Sequence, residues 1–125
     1  MNYSIHIKLL GIKIVTNKEC FVMSYQVNIP WENKRLTATV HYPEVENLNV
    51  NVYPLVIICH GFIGSRIGVD RLFVKTANEL TKDPCIVLRF DYSGCGESEG
   101  IYGKTGLDDL IDQTQSAIDF AAGLP

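Results

Sequence analysis

Two short and almost uniformly apolar runs, residues 55–59 (LVIIC) and 85–90 (CIVLRF), frame the one architecture this chain can adopt. A strand with one face in water alternates apolar and polar residues, whereas a strand buried on both faces does not. Between the runs Phe73, Ala77 and Leu80 recur at helical spacing. This predicts a helix from Asp70 to about Lys82, with Asp70 capping its start and Pro84 blocking continuation. Strand, helix and strand in so short a stretch form a crossover unit, so the two runs are expected to lie parallel and interior in one sheet.

The flanking segments fit that sheet. Tyr25, Val27 and Ile29 alternate with polar neighbours, as do Leu36, Ala38, Val40 and Tyr42, with the polar segment PWENKR between them, which reads as an antiparallel β-hairpin. After the second apolar run, Leu107, Leu110, Ile111, Thr114, Ala117, Ile118 and Ala121 share one helical face, with Thr105 and Asp108 placed as a capping box and Gly123 and Pro125 as stop signals. The class is therefore α/β, a hairpin leading into a parallel βαβα unit. Residues 1–22 alternate at Ile5, Ile7 and Leu9 without turn chemistry linking them to the hairpin; an edge strand, or an extension preceding a native start at Met23, is expected there.

Composition narrows the partners. With 11 basic and 14 acidic residues spread without blocks and a net charge of −3, the chain offers no footprint for nucleic acid or an anionic membrane. The N-terminal stretch IHIKLLGIKIV is broken by Lys8 and Lys13 and is too short to span a bilayer. Cys20, Cys59, Cys85 and Cys95 show no C-x-x-C spacing, and Cys59 and Cys85 fall in apolar runs, which suits buried thiols in a reducing cytoplasm. His6, His41 and His60 are scattered with no acidic or thiol ligand at metal spacing, so no metal and no cofactor is expected.

The chemistry concentrates in two loops. The first strand runs directly into His60-Gly61-Phe62, followed by Gly64 and Ser65; the second into LRFDYSGCGESEG, where Arg89, Asp91, Gly94, Gly96 and Ser98 form an R-x-D start and a G-x-G-x-S core. Taken alone, HGF is also satisfied by a strand-end turn with a hydrogen-bonded, partly buried histidine. Together, and with a helix between and after them, the loops resemble those of the α/β-hydrolase superfamily over about residues 55–122, in the manner of small bacterial cinnamoyl and feruloyl esterases and serine aminopeptidase-like hydrolases. Those esterases often have histidine where this chain has Cys95, which leaves the exact substrate open.

That resemblance implies a backbone N–H, here of Phe62, directed at the oxyanion of a tetrahedral intermediate, with His60, Gly61, Asp91 and Ser98 supporting the loops. It implies a serine nucleophile with a histidine base, hydrolysing a small carboxylic ester or thioester, with peptide amide less suited. In the family the nucleophile, acid and base all follow the last helix, so residues 23–125 are expected to be the N-terminal half of the domain. The central nucleophile strand is missing, and the chain is expected to be inactive and self-associating when alone. The literal alternative is a non-catalytic fragment or accessory piece.

Two motifs mislead. Gly96-Glu97-Ser98-Glu99-Gly100 satisfies G-x-S-x-G, yet Ser98 does not sit between a strand and a helix as a nucleophile elbow requires, and two glutamates flank it. The same glycines suggest a phosphate or dinucleotide loop, but the spacing is off the fingerprint and Asp91, Glu97 and Glu99 bring negative charge.

Overall fold

In the computed structural model, residues 23–43 and 52–124 are described; the expectations for residues 1–22, including the start at Met23 and the placement of Cys20, lie outside them. The elements are β1 (Met23–Trp31), β2 (Lys34–Tyr42), β3 (Leu55–Cys59), a 3-10 turn at Val69–Arg71, α1 (Leu72–Leu80), β4 (Ile86–Phe90) and α2 (Leu107–Ala122). The sheet order is β1-β2-β4-β3, with β3 parallel to β4 and the other pairs antiparallel.

The hairpin is tighter than its polar segment suggests. The ladder continues through Pro30↔Arg35 and Trp31↔Lys34, leaving only Glu32 and Asn33 as the turn, with Glu32 at φ 48. Pro30 is tolerated because, among the described residues, β1 is the outer strand and needs no donor on its free side.

Alternation along β4 sorts the core into two layers. Leu88 and Phe90 join Ile29, Trp31, Leu36, Ala38 and Val40 against Ala117 and Ala121 of α2. Val87 turns the other way, to Cys85 and to Ala77 of α1. One helix therefore covers each face of the sheet. Trp31 Nε1 donates to Asp112 Oδ2 at 2.8 Å, fixing α2 over the hairpin.

Four expectations are corrected. The Cys59 thiol, expected to be buried, is exposed at the end of β3, which among the described residues is the terminal strand, as a sheet lacking its central strand requires, while Cys85 is buried. Asp70 caps nothing: Asp70 and Arg71 take left-handed φ of 51 and 61 as the chain turns into α1, which begins at Leu72. The capping contact of α2 lies one residue later than Thr105 and Asp108, Gly106 N–H donating to Asp109 Oδ2 at 2.9 Å. Finally, the apolar arc of α2 is split. The helix approaches the sheet through Gln113, Ala117 and Ala121, leaving Leu107, Ile111 and Ile118 exposed.

Candidate active site

Both loops leave the sheet at the carboxyl ends of the adjacent parallel strands β3 and β4, which brings His60-Gly61-Phe62 beside Tyr92. The His60 ring is buried and packs edge-on to Tyr92 at 5.0 Å. Its Nε2 accepts the Tyr92 N–H at 3.1 Å, which places the ring proton on Nδ1, donating to Gly61 O at 2.8 Å. His60 thus fastens the two loops together.

After it the chain makes a tight turn, Gly64 N–H donating to Gly61 O at 3.1 Å, with Ile63 at φ 54. Phe62 is 89% exposed at the lip of the turn, and its ring meets that of Tyr102 from the second loop at 5.8 Å. No group among the described residues accepts the Phe62 N–H. Between this turn and α2 lies a mainly apolar cavity of about 650 Å³, whose wall includes Phe62, Tyr92, Tyr102, Leu107, Ile111 and Ile118. Burial pushes the Tyr92 hydroxyl up to about 12. It donates to Thr114 Oγ1 at 2.7 Å, since Thr114 spends its own hydrogen on Leu110 O at 2.8 Å.

The second loop is built around Asp91, which is wholly buried. Its Oδ1 accepts the Arg66 N–H at 2.5 Å, and its Oδ2 accepts the Arg66 guanidinium and, at 3.0 Å, the Glu97 N–H. Gly96, at φ 50, lies against this carboxylate, and a Cβ there would stand 2.3 Å from Oδ2. An anionic phosphate has no place in a glycine loop already filled by a carboxylate.

Ser98 is a strut. Its hydroxyl donates to Asp91 O at 2.5 Å and accepts Thr37 N–H at 2.8 Å, tying the loop to β2, and Ser98 does not line the cavity. The flanking glutamates are both paired, Glu97 with Arg66 and Glu99 with Arg35 at 2.7 Å. What sets this serine apart from a nucleophile is its hydroxyl, committed to Asp91 O and the Thr37 N–H.

Two elements of the site escape the sequence reading. Gln113 is fully buried and accepts the Ser93 N–H at 2.7 Å, holding the second loop against α2. Arg66 is the hub between the loops, its Nε also reaching Thr39 Oγ1 at 3.2 Å. The available signal for Arg66 was a lone basic residue closing the first loop, with an aspartate opening the second.

Beneath the hub, Arg89 Nη1 donates to Arg66 O at 2.5 Å and Arg89 Nε to His41 Nε2 at 2.9 Å. The His41 ring proton is therefore on Nδ1, which is buried without a hydrogen-bond partner among the described residues, as is Asn78 Oδ1 of α1. Burial first, and the Arg89 charge second, lower His41 from 6.5 to about 4. The unfolded chain takes up this proton near pH 6.5 and the folded chain only near 4. Stability is unaffected above that window, falls as pH drops through it, and levels off below, by at most about 1.4 kcal/mol per pH unit. A His41→Gln variant, which can still accept from Arg89, is expected to lose less of its urea midpoint than the native chain between about pH 7 and pH 4.5.

Sheet order, helix placement and the two strand-end loops together define the N-terminal portion of an α/β-hydrolase fold. No protein-family model matches the chain. Est1E of Butyrivibrio proteoclasticus, solved with ferulic acid bound, superposes with TM-score 0.67 at 28% identity, over 78% of this chain and 37% of that one. A Pyrococcus furiosus esterase gives 0.63 at 22% identity, over 90% and 41%. Proline iminopeptidase of Mycobacterium smegmatis gives 0.57 at 21%, over 80% and 32%. The latter two identities speak to fold alone. An uncharacterized 31.7 kDa protein from the traX-finO intergenic region of Escherichia coli is 42% identical over 52 residues, which is 42% of this chain and 17% of that protein. The chain thus spans less than half the length of the solved structures it matches.

Proposed function

We propose that this chain supplies the oxyanion-hole half of a serine-type α/β hydrolase acting on small carboxylic esters or thioesters. The carrying observation is the Phe62 N–H, unpartnered among the described residues, on a turn fastened to the second loop and bordering a mainly apolar cavity. Likeness to Est1E supports an ester substrate. In this reading Phe62 donates to the developing oxyanion, His60 and Gly61 set the turn, and Asp91 and Ser98 hold the adjoining loop. Nucleophile, acid and base are contributed by other parts of the full-length protein. No residue cluster suited to a metal occurs among the described residues, and the mechanism needs neither metal nor cofactor. No described helix is long and apolar enough to cross a membrane. The free thiols of Cys59, Cys85 and Cys95 favour a reducing compartment, the cytoplasm.

The test separates the backbone donor from its side chain. In the full-length protein Phe62→Pro, which lacks the N–H, is expected to lower kcat for p-nitrophenyl acetate about 100-fold, while Phe62→Ala, which keeps it, stays within about threefold. Equal effects of the two would sink the assignment.

A second reading is a non-catalytic accessory piece, which fits the committed hydroxyl of Ser98, the serine set in the G-x-S-x-G pattern. Both readings leave the outer edge of β3 and Leu107, Ile111 and Ile118 uncovered among the described residues, and the isolated chain is therefore expected to self-associate. Sedimentation velocity checks this, and a sharply melting monomer contradicts it.

A further inference from the structure

We propose that Arg66 is a positioning residue that sets the aim of the Phe62 N–H, an inference that rests on the hydrolase reading above. The first loop is tied to the second at both ends, and the anchor points on the second loop are neighbours. His60 Nε2 accepts the Tyr92 N–H at 3.1 Å, and Arg66 N–H donates to Asp91 Oδ1 at 2.5 Å. Residues 61–65 must therefore leave one anchor and return to the next. They do so by folding sharply at Gly61 to Gly64 and placing Ile63 at φ 54.

A left-handed conformation costs an ordinary residue about 1 to 2 kcal/mol, and it is least suited to a β-branched side chain. Ile63 is 73% exposed, so burial of its side chain does not account for the conformation. What holds it is the tether. Both backbone groups of Arg66 are engaged, N–H by Asp91 and C=O by Arg89. Its guanidinium joins Asp91, Glu97 and Thr39 and is buried. The strained turn between such fixed ends engages the Gly64 N–H and leaves that of Phe62, at the lip of the cavity, without a partner among the described residues, like those of Gly61, Ile63 and Ser65. Arg66 also balances the buried Asp91 carboxylate, which otherwise opposes negative charge developing at the neighbouring turn.

Amide exchange and kinetics test this together. In Arg66→Lys, which keeps the charge and loses the fork, exchange at the hydrogen-bonded amides of Gly64 and position 66 is expected to quicken about 10-fold while that of α2 stays unchanged. Ile63→Gly, which removes the strain the tether has to hold, is expected not to quicken these amides, and in its background the effect of Arg66→Lys is expected to shrink to less than about threefold. In the full-length protein, Arg66→Lys is expected to lower kcat for p-nitrophenyl acetate about 10-fold with KM within about twofold, the signature of a misplaced transition-state donor. Unchanged exchange in a folded Arg66→Lys, or a loss confined to KM, overturns the proposal. Should Arg66→Lys not fold, Glu97→Gln, which alters the exposed arm of the fork, is read in the same way, with about threefold faster exchange expected and no change overturning it. A native full-length protein without ester activity overturns the catalytic meaning given to Phe62, whereas the exchange result still decides for or against the tether itself.

Discussion

Asp91→Ala is expected to remove about 3 to 5 kcal/mol of stability, the cost of leaving one member of a buried ion pair without its partner. The carboxylate is wholly buried and accepts from Arg66 twice and from Glu97 once. Alanine would strand the Arg66 guanidinium with Glu97, whose side chain is 65% exposed, and open a void beside Gly96. Since small domains have only about 5 to 15 kcal/mol in total, much of the margin would go with this one side chain. Asp91→Asn makes the sharper comparison. It preserves shape, but its amide must turn N–H groups toward Arg66 or Glu97, which are donors themselves. Both variants are to be compared with the native chain by urea unfolding, with Asp91→Asn expected to lose at least half as much as Asp91→Ala; a native-like midpoint for either would show that the carboxylate does not organise the loop.

Gly94→Ala is expected to cost about 4 kcal/mol, combining left-handed strain with forced repacking, each worth about 1 to 3 kcal/mol. Gly94 has φ 78, and a Cβ there would stand 2.3 Å from the backbone nitrogen of Tyr102. Backbone cannot swing aside as a flexible side chain does. The segment carrying Tyr102 would have to retreat, and with it the ring that meets Phe62. The measurable consequences are a lowered thermal midpoint and fuller exposure of Tyr102, 46% exposed in the native chain, seen as increased reactivity toward a tyrosine-modifying reagent. Gly103→Ala is the control, because that glycine also has positive φ, 79, but nothing lies within 4 Å of its Cβ position. It should show the strain cost without the collision.

How far the sequence carries the fold depends on which physical signal each element uses. Strands 55–59 and 86–90 and the hairpin were legible because hydrophobic period is a direct record of which faces are buried. Helix ends were less so. Asp70 has capping chemistry, but the preceding loop demands a sharp entry, and two successive left-handed residues meet that demand instead. On α2 the large apolar residues drew attention, yet the helix meets the sheet through Ala117 and Ala121, whose small side chains permit close approach. Small residues, not large ones, marked the contact.

In the site, glycine and serine spacing identified both loops and flagged Ser98 as no elbow, but the pairing of its flanking glutamates with Arg35 and Arg66 could not be read there. Those pairings join residues 64 and 31 positions apart, and no local pattern announces them. Arg66 and Gln113 were missed for the same reason: a buried polar residue is defined by a partner that only the folded chain supplies.

The two sides of the sheet are made of different materials. The α2 side is almost entirely apolar around Phe90, Leu36 and Ile29, whereas the α1 side sets Thr39, His41 and Arg89 around a small apolar island of Ala77 and Val87. Apolar contact loosens on cooling, while a buried polar network loosens when one of its members takes up a proton. Mild acid should therefore release α1 first and leave α2 seated, and chilling should strain the α2 side first; the same four strands would come apart from opposite sides according to how they are stressed.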